Sequence, residues 1–420
     1  MTAMSPTAYP SEGASLPGVR VVLDARPLQE PERNPTTALY LERLLGAFAA
    51  QPMAGESFVL VLGSPGDDPS GRFPGLVLAG RRRLPPTRRL RAATLALDPF
   101  LLRGAAIGTA FGARREGAAG VVYHAVGGTV PLASGLPLVA TLLDLAAAEL
   151  PAVYQRSPAE RFGQRLRARI LRDARRLIVP SAASAETAAR ALHVPRERVR
   201  VIPLAPTLPA PDPRLRARSV ALRERLGFPE RYLLFAGRHD ARKDLRTLFR
   251  SLALLAAAPA PDPEGPWPPS LVLAGMSEAD GAALERTARD AGIAPLVRIA
   301  ARLEPAELAA LMGGARAFVY PALTEANGLA VIEALALGTP VVASKVGALP
   351  ELVAQAGILV EPRDAERLAA ALATLWSDER IHRRLAGSAH ARARGPRRSW
   401  ADVAAETRVV YAEAAGAVGV

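Results

Sequence analysis

The sequence predicts an α/β protein built from two doubly wound parallel-sheet domains that face a cleft. Three observations predict it. The chain has 420 residues, too many for one ordinary core. Short apolar runs alternate with helical patterns, as in βαβ units. That alternation restarts after a proline-rich stretch, Pro206 to Ser219, which reads as a linker.

Residues 1–17 have neither a basic nor an apolar signal region and read as a frayed tail rather than a secretory leader. VRVVLDARPL, from Val19, is a buried first strand ending at Asp24. A helix follows in NPTTALYLERLLGAFAA, with Asn34 as N-cap and Pro35 at the first helical position. FVLVLG, VVYHAV, LPLVATLLD and RRLIVPSA supply further strands, and AERFGQRLRARILRDA a helix between the last two. RVRVIPLAP closes a first domain over 18–205, followed by the linker, 206–219. A second domain, 220–397, contains the strands YLLFAG, SLVLAG, VRIAA, ARAFVYPA and TPVVAS. A last helix spans 398–418. Ligands of open parallel sheets bind beyond the carboxyl ends of the strands, so two such sheets facing each other predict an inter-domain site.

Composition narrows the classes. The net charge is +13, but only two of the 53 basic residues are lysines, Lys243 and Lys345. Arginine is therefore the default cation, and a lysine is a choice to examine. Aromatics make up 5% and no nucleic-acid module is present, so no nucleic-acid partner is expected. There is no cysteine, hence no disulfide or thiolate chemistry. Charges interrupt the longest apolar runs, as at Asp144 and Glu149, which argues against a membrane span. A phosphate-binding GxxxxGK[ST] loop, a GxGxxG turn after the first strand, HExxH and Asp-x-Asp are all missing, so neither a metal site nor a cofactor is expected.

The chemistry concentrates in LTEANGLAVIEALALGTPVVAS, Leu323 to Ser344, where Glu325 and Glu333 stand with seven residues between them in an apolar context. Buried carboxylates need partners. Glu325 falls near a helix N-terminus and Glu333 more than a turn inside, a separation suited to gripping different hydroxyl groups of one extended ligand. In LLFAGRHDARKDLRTLF, Gly237 ends a strand, and Arg238 and Lys243 lie in the loop before a helix, an arrangement suited to a diphosphate. A cation loop and a hydroxyl clamp together describe a nucleoside diphosphate sugar.

These residues resemble the pattern of glycosyltransferase family 4, with the GT-B fold of two Rossmann-like domains. The resemblance lies in the Glu-x7-Glu segment, GTPVVAS, the turn Gly347-Ala348-Leu349-Pro350-Glu351 and AGILVEPRD. It is specific over about 232–363 and looser elsewhere, as in DARPL and the final RRSWADVAAETRVVYAEA. It implies a retaining, metal-independent transfer of a hexose, weakly favoured as mannose, from a GDP- or UDP-sugar to a glycan or lipid-linked acceptor. It implies ribose binding by Glu333, sugar binding by Glu325, and neutralisation of the leaving diphosphate by Arg238 and Lys243. The N–H groups of Asn327, Gly328 and Leu329 would meet phosphate, and the last helix would cross back to complete the first domain. A cytoplasmic protein, peripheral on the inner face of the membrane, fits such acceptors.

Three features depart from the pattern. EPERNPTTALYL lacks the family's glycine turn, Leu143 stands where a histidine is usual, and Ala326-Asn327-Gly328 replaces Gly-Phe-Gly. His124 and Asp144 are the remaining candidates for the acceptor and sugar pocket, against an ordinary strand-end role for His124. The alternative is a catalytically weak nucleotide-sugar-binding or scaffold protein on the same fold. Arg81 to Arg103 mixes cations with Leu84, Leu90, Leu95 and Leu97, as an anionic membrane surface would require, whereas Arg161 to Arg176 reads rather as a solvated face.

Overall fold

The computed structural model describes residues 18–64, 66–85, 102, 120–127, 130–131, 135–262, 265–300 and 303–416. The first domain contains β1 (Arg20–Asp24), β2 (Ser57–Gly63), β3 (Leu78–Leu84), β4 (Val121–Val126), β5 (Leu138–Thr141), β6 (Arg176–Val179) and β7 (Val199–Val201). The second contains β8 (Leu233–Ala236), β9 (Leu271–Ala274), β10 (Val297–Ala300), β11 (Ala317–Tyr320), β12 (Val341–Ser344) and β13 (Gly357–Val360). Five helices matter below: α1 (Pro35–Ala50), α2 (Pro158–Arg172), α3 (Leu245–Ala257), α4 (Leu329–Ala336) and α5 (Trp400–Ala415).

Both sheets are parallel throughout, in the orders β3-β2-β1-β4-β5-β6-β7 and β10-β9-β8-β11-β12-β13. Each order reverses at one point, between β1 and β4 and between β8 and β11. Chains leaving adjacent strands there diverge to opposite faces and open a crevice at the carboxyl ends. The cation loop leaves β8 and the Glu325 loop leaves β11, so the second switch point brings together segments distant in sequence.

Period-two alternation explains the cores. Val21 and Leu23 face one side of the first sheet and Val22 the other, each in a separate apolar cluster. Helix α5 crosses back from the second domain: Val403, Val410 and Tyr411 join Tyr40, Leu44 and Phe48 in the first domain's core. Arg408 on that helix is buried against Glu56 at 2.8 Å and lies over the Phe48 ring.

Several expectations are corrected. Arg81 to Leu84 belong to β3, an arginine-rich edge strand unrecognised in the sequence, where Asp68 and Ser70 hold Arg81. Leu90, Leu95 and Leu97 lie outside the described residues. β13 went unrecognised too, because its GILV run is short and glycine-led. Pro35 opens α1 as expected, but the Asn34 side chain makes no capping bond. The linker is shorter than its composition suggests: helix begins at Leu215. Among the described residues, no helix is long and apolar enough to cross a membrane.

Candidate functional site

The site is assembled at the carboxyl ends of β8 and β11. Beyond Gly237 (φ 146°), the loop ends in a single 3-10 turn, Ala241–Lys243, with the Asp240 carboxylate accepting from the Arg242 N–H. Asp244, in the left-handed region at φ 45°, then caps α3 through Thr247. This tight reversal turns Lys243 inward, where its side chain is buried.

Lys243 reaches Glu325, with its Nζ 2.6 Å from Oε2. Tyr320, the last residue of β11, donates its hydroxyl to the same oxygen at 2.7 Å. Lys243 in turn donates to the Tyr320 hydroxyl, and its Nζ lies 4.2 Å from that ring's centroid. Oε1 accepts the N–H groups of Asn327 (3.3 Å) and Gly328 (3.1 Å), where α4 starts. Glu325 is 2% exposed. Burial alone would raise its pKa, but the Lys243 and Arg242 charges win and hold it down to about 2. At neutral pH it is an ionised carboxylate.

A glycine makes this possible. Gly347, at φ 50°, passes so close that a Cβ would meet the Glu325 carbonyl oxygen at 2.0 Å, and the Ala348 N–H donates to that oxygen at 2.9 Å. The Gly-x-x-Pro-Glu turn thus braces the Glu325 backbone.

Glu333 has different company. Its Oε1 accepts the Thr207 N–H (2.8 Å) and hydroxyl (2.6 Å), and its Oε2 accepts the Leu208 N–H (3.0 Å). Its partners are the linker. Burial raises its pKa against these hydrogen bonds.

The first domain closes over the loop 324–327. Ser181 and Ser184 both donate to the Ala326 carbonyl, at 3.0 and 2.8 Å. Asn327 Nδ2 donates to the Leu143 carbonyl at 2.9 Å, Thr324 to Glu149, and Tyr154 to Asp240. Arg242 pairs with Asp144 at 2.7 Å. The Leu329 N–H goes to Asn327 Oδ1 at 2.9 Å. All three N–H groups expected to meet phosphate are therefore engaged within the loop.

The structure brings Glu325, Lys243, Asn327, Gly328 and Leu329 together, with Asp144 across the seam, but it pairs Lys243 with Glu325 where the sequence reading had set it toward a diphosphate. Arg238 stands exposed in the same loop, near enough to Asp280 to help lower its pKa. His124 is corrected. It is sealed in the first domain, with Nδ1 2.7 Å from the Tyr411 hydroxyl and Nε2 2.8 Å from Thr141 Oγ1. Burial lowers its pKa to about 3, so it is a neutral core histidine tying α5 to the sheet rather than a cleft residue. The Leu143 side chain is likewise buried in the core, leaving only its carbonyl at the seam.

Sequence reasoning missed Tyr320, Thr207 and Arg242. Arg242 sits beside Lys243 but is one of many arginines, and Tyr320 ends an apolar strand as any core residue would. It also missed Arg167 of α2, which donates to the Gly127 carbonyl at 3.1 Å and whose buried Nε has no hydrogen-bond partner among the described residues.

Comparisons with known proteins bear on the family and the fold. Two family models match, "Glycosyltransferase Family 4" over residues 37–205 and "Glycosyl transferases group 1" over 230–378. An MMP alpha-(1->4)-mannosyltransferase of Mycolicibacterium hassiacum is 41% identical over 133 residues, 31% of this chain and 32% of that protein. A D-inositol 3-phosphate glycosyltransferase of Thermobispora bispora is 34% identical over 254 residues, 57% of this chain and 56% of that protein. The chain thus spans between about a third and just over half the length of these relatives. Anabaena HepE, solved in complex with UDP and glucose, superposes with a TM-score of 0.64 at 18% identity, over 92% of this chain and 97% of its own.

Proposed function

The chain belongs to glycosyltransferase family 4, and from that premise we propose that it moves a hexose from a nucleoside diphosphate sugar to a glycan or lipid-linked acceptor, with retention and without a metal. One observation carries the proposal: the ionised Glu325, locked at the switch point by Lys243, Tyr320 and two helix-start N–H groups.

Glu325 is an acceptor-only group with a fixed direction, suited to hydroxyls of the transferred sugar. The diphosphate gains negative charge as the glycosidic bond breaks. Lys243, held by Glu325 and Tyr320, and the exposed Arg238 place positive charge at that end of the site, where it stabilises the leaving diphosphate. Retention without an enzyme nucleophile follows if the acceptor attacks from the leaving-group face. The loop N–H groups and Lys243 are already engaged, so the exposed Arg238 meets the phosphates and Lys243 acts through its charge. Entry of so large a donor requires the seam between the domains to open.

The mannosyltransferase relative supports mannose, while the UDP complex of HepE supports a uridine nucleotide. For a lipid-linked acceptor, α2 offers a basic outer face: Arg161, Arg165 and Arg169 beside Phe162, which is 58% exposed. The buried Leu143 side chain favours the second reading, a donor-binding protein that transfers poorly.

Calorimetric titration with GDP, UDP, GDP-mannose and UDP-glucose, without divalent metal, tests the proposal. One nucleotide and its sugar should bind, and Glu333→Ala should weaken that binding. Failure of all four to bind would overturn the donor reading. Binding without turnover on glycan or lipid-linked acceptors would leave the second reading standing.

A further inference from the structure

We infer that Thr207 is a resident competitor for the donor's ribose at Glu333, setting nucleotide affinity and tying donor entry to movement of the linker. The inference rests on the donor reading above and deepens it.

Glu333 is 5% exposed, and a buried carboxylate left without donors is costly. The donor-free state therefore needs a substitute for the two vicinal ribose hydroxyls, and the linker supplies one. The Thr207 hydroxyl and N–H fill Oε1 and the Leu208 N–H fills Oε2. A carboxylate offers about four acceptor positions, three of which are taken. Two ribose hydroxyls cannot be added without displacing the linker. Because the linker belongs to the same chain, it competes at high effective concentration.

The same contact joins the domains. Glu333 lies on α4 of the second domain. The linker is fastened to α1 by Arg43, which donates to the Thr207 carbonyl at 2.8 Å. Trp400 and Arg398, at the start of α5, hold the Pro206 and Pro203 carbonyls at 3.1 and 2.6 Å. When ribose takes Glu333, the strap loses its hold on the second domain while keeping its hold on α1 and α5. Donor binding and hinge movement become one event.

The test compares Thr207→Val, which removes only the hydroxyl, with the unaltered protein. Each is titrated with UDP, GDP and their 2′,3′-dideoxy counterparts. The variant should bind the ribonucleotide about tenfold more tightly, one charge-assisted competitor having been removed. Its affinity for the dideoxynucleotide should not change, and Thr207→Ser should restore the original affinity. A variant that binds the ribonucleotide no more tightly overturns the inference, as does equal tightening toward the dideoxynucleotide. If Glu333→Ala weakens binding while Thr207→Val fails to tighten it, the donor reading stands and this inference alone falls. If no protein binds either ribonucleotide, both fall.

Discussion

Tyr320 shows how one side chain can govern another through a single hydroxyl. Its hydroxyl receives from Lys243 and donates to Glu325, so it helps direct that carboxylate and adds to the Lys243 and Arg242 charges that keep it ionised. Its own pKa is raised well above 10, chiefly by burial and then by the Glu325 charge, so it stays a donor. Tyr320→Phe should lower kcat about ten- to hundredfold, the worth of a hydrogen bond to a charged group, with little change in the donor KM. Losing that donor also raises the Glu325 pKa, so the acid limb of the kcat profile should move to higher pH. An unchanged acid limb would mean that the tyrosine only packs. In the sequence, Glu325 and Lys243 were visible as a carboxylate in an apolar run and a rare lysine. Tyr320 was not, because a tyrosine at a strand end looks the same whether or not its hydroxyl has work to do.

At the scale of elements, the docking of α5 depends on a neutral histidine. His124 bridges Thr141 on β5 and Tyr411 on α5, and its folded pKa of about 3 lies below the ordinary 6.5. A depressed pKa contributes stability above the unfolded value. That stability is fully present above pH 6.5 and is lost as pH falls toward 3, because only the unfolded chain takes up the proton. The loss should approach about 1.4 kcal/mol per pH unit below 6. Denaturant unfolding between pH 7.5 and 4.5 would measure it, and His124→Gln should flatten the slope; an equal slope in that variant would show that the histidine does not carry it. The parallel strands were legible as apolar runs, and Pro35 as a helix start. The edge strand β3 was not legible: solvent-facing arginines protect an edge from unwanted pairing, and they also mask the apolar signal.

At the scale of the molecule, closure is held by a few polar contacts onto one loop. Two hydroxyls, from Ser181 and Ser184, satisfy the buried Ala326 carbonyl, and Arg242 pairs with Asp144 beside them. Removing both hydroxyls leaves that carbonyl unsatisfied only when the domains are closed, a penalty of about 1–3 kcal/mol on the closed state. The Ser181→Ala/Ser184→Ala protein should therefore show a larger radius of gyration by small-angle X-ray scattering. Donor should reverse the expansion; equal radii for variant and parent would assign closure to other contacts.

The two-domain α/β architecture was legible in the sequence alone, as were Glu325 and Lys243 as separate candidates, though not their pairing across 82 residues. Architecture and candidates follow from periodicity, from the cost of burying charge, and from residue types rare in their context, all local properties of the chain. Only the tertiary structure decided that His124 serves the core and that the linker occupies Glu333. Only it decided that Arg242 and Tyr320 complete the site. Each of these is a contact between segments far apart in sequence, and a hydrogen bond across 126 residues leaves no periodic trace in either segment.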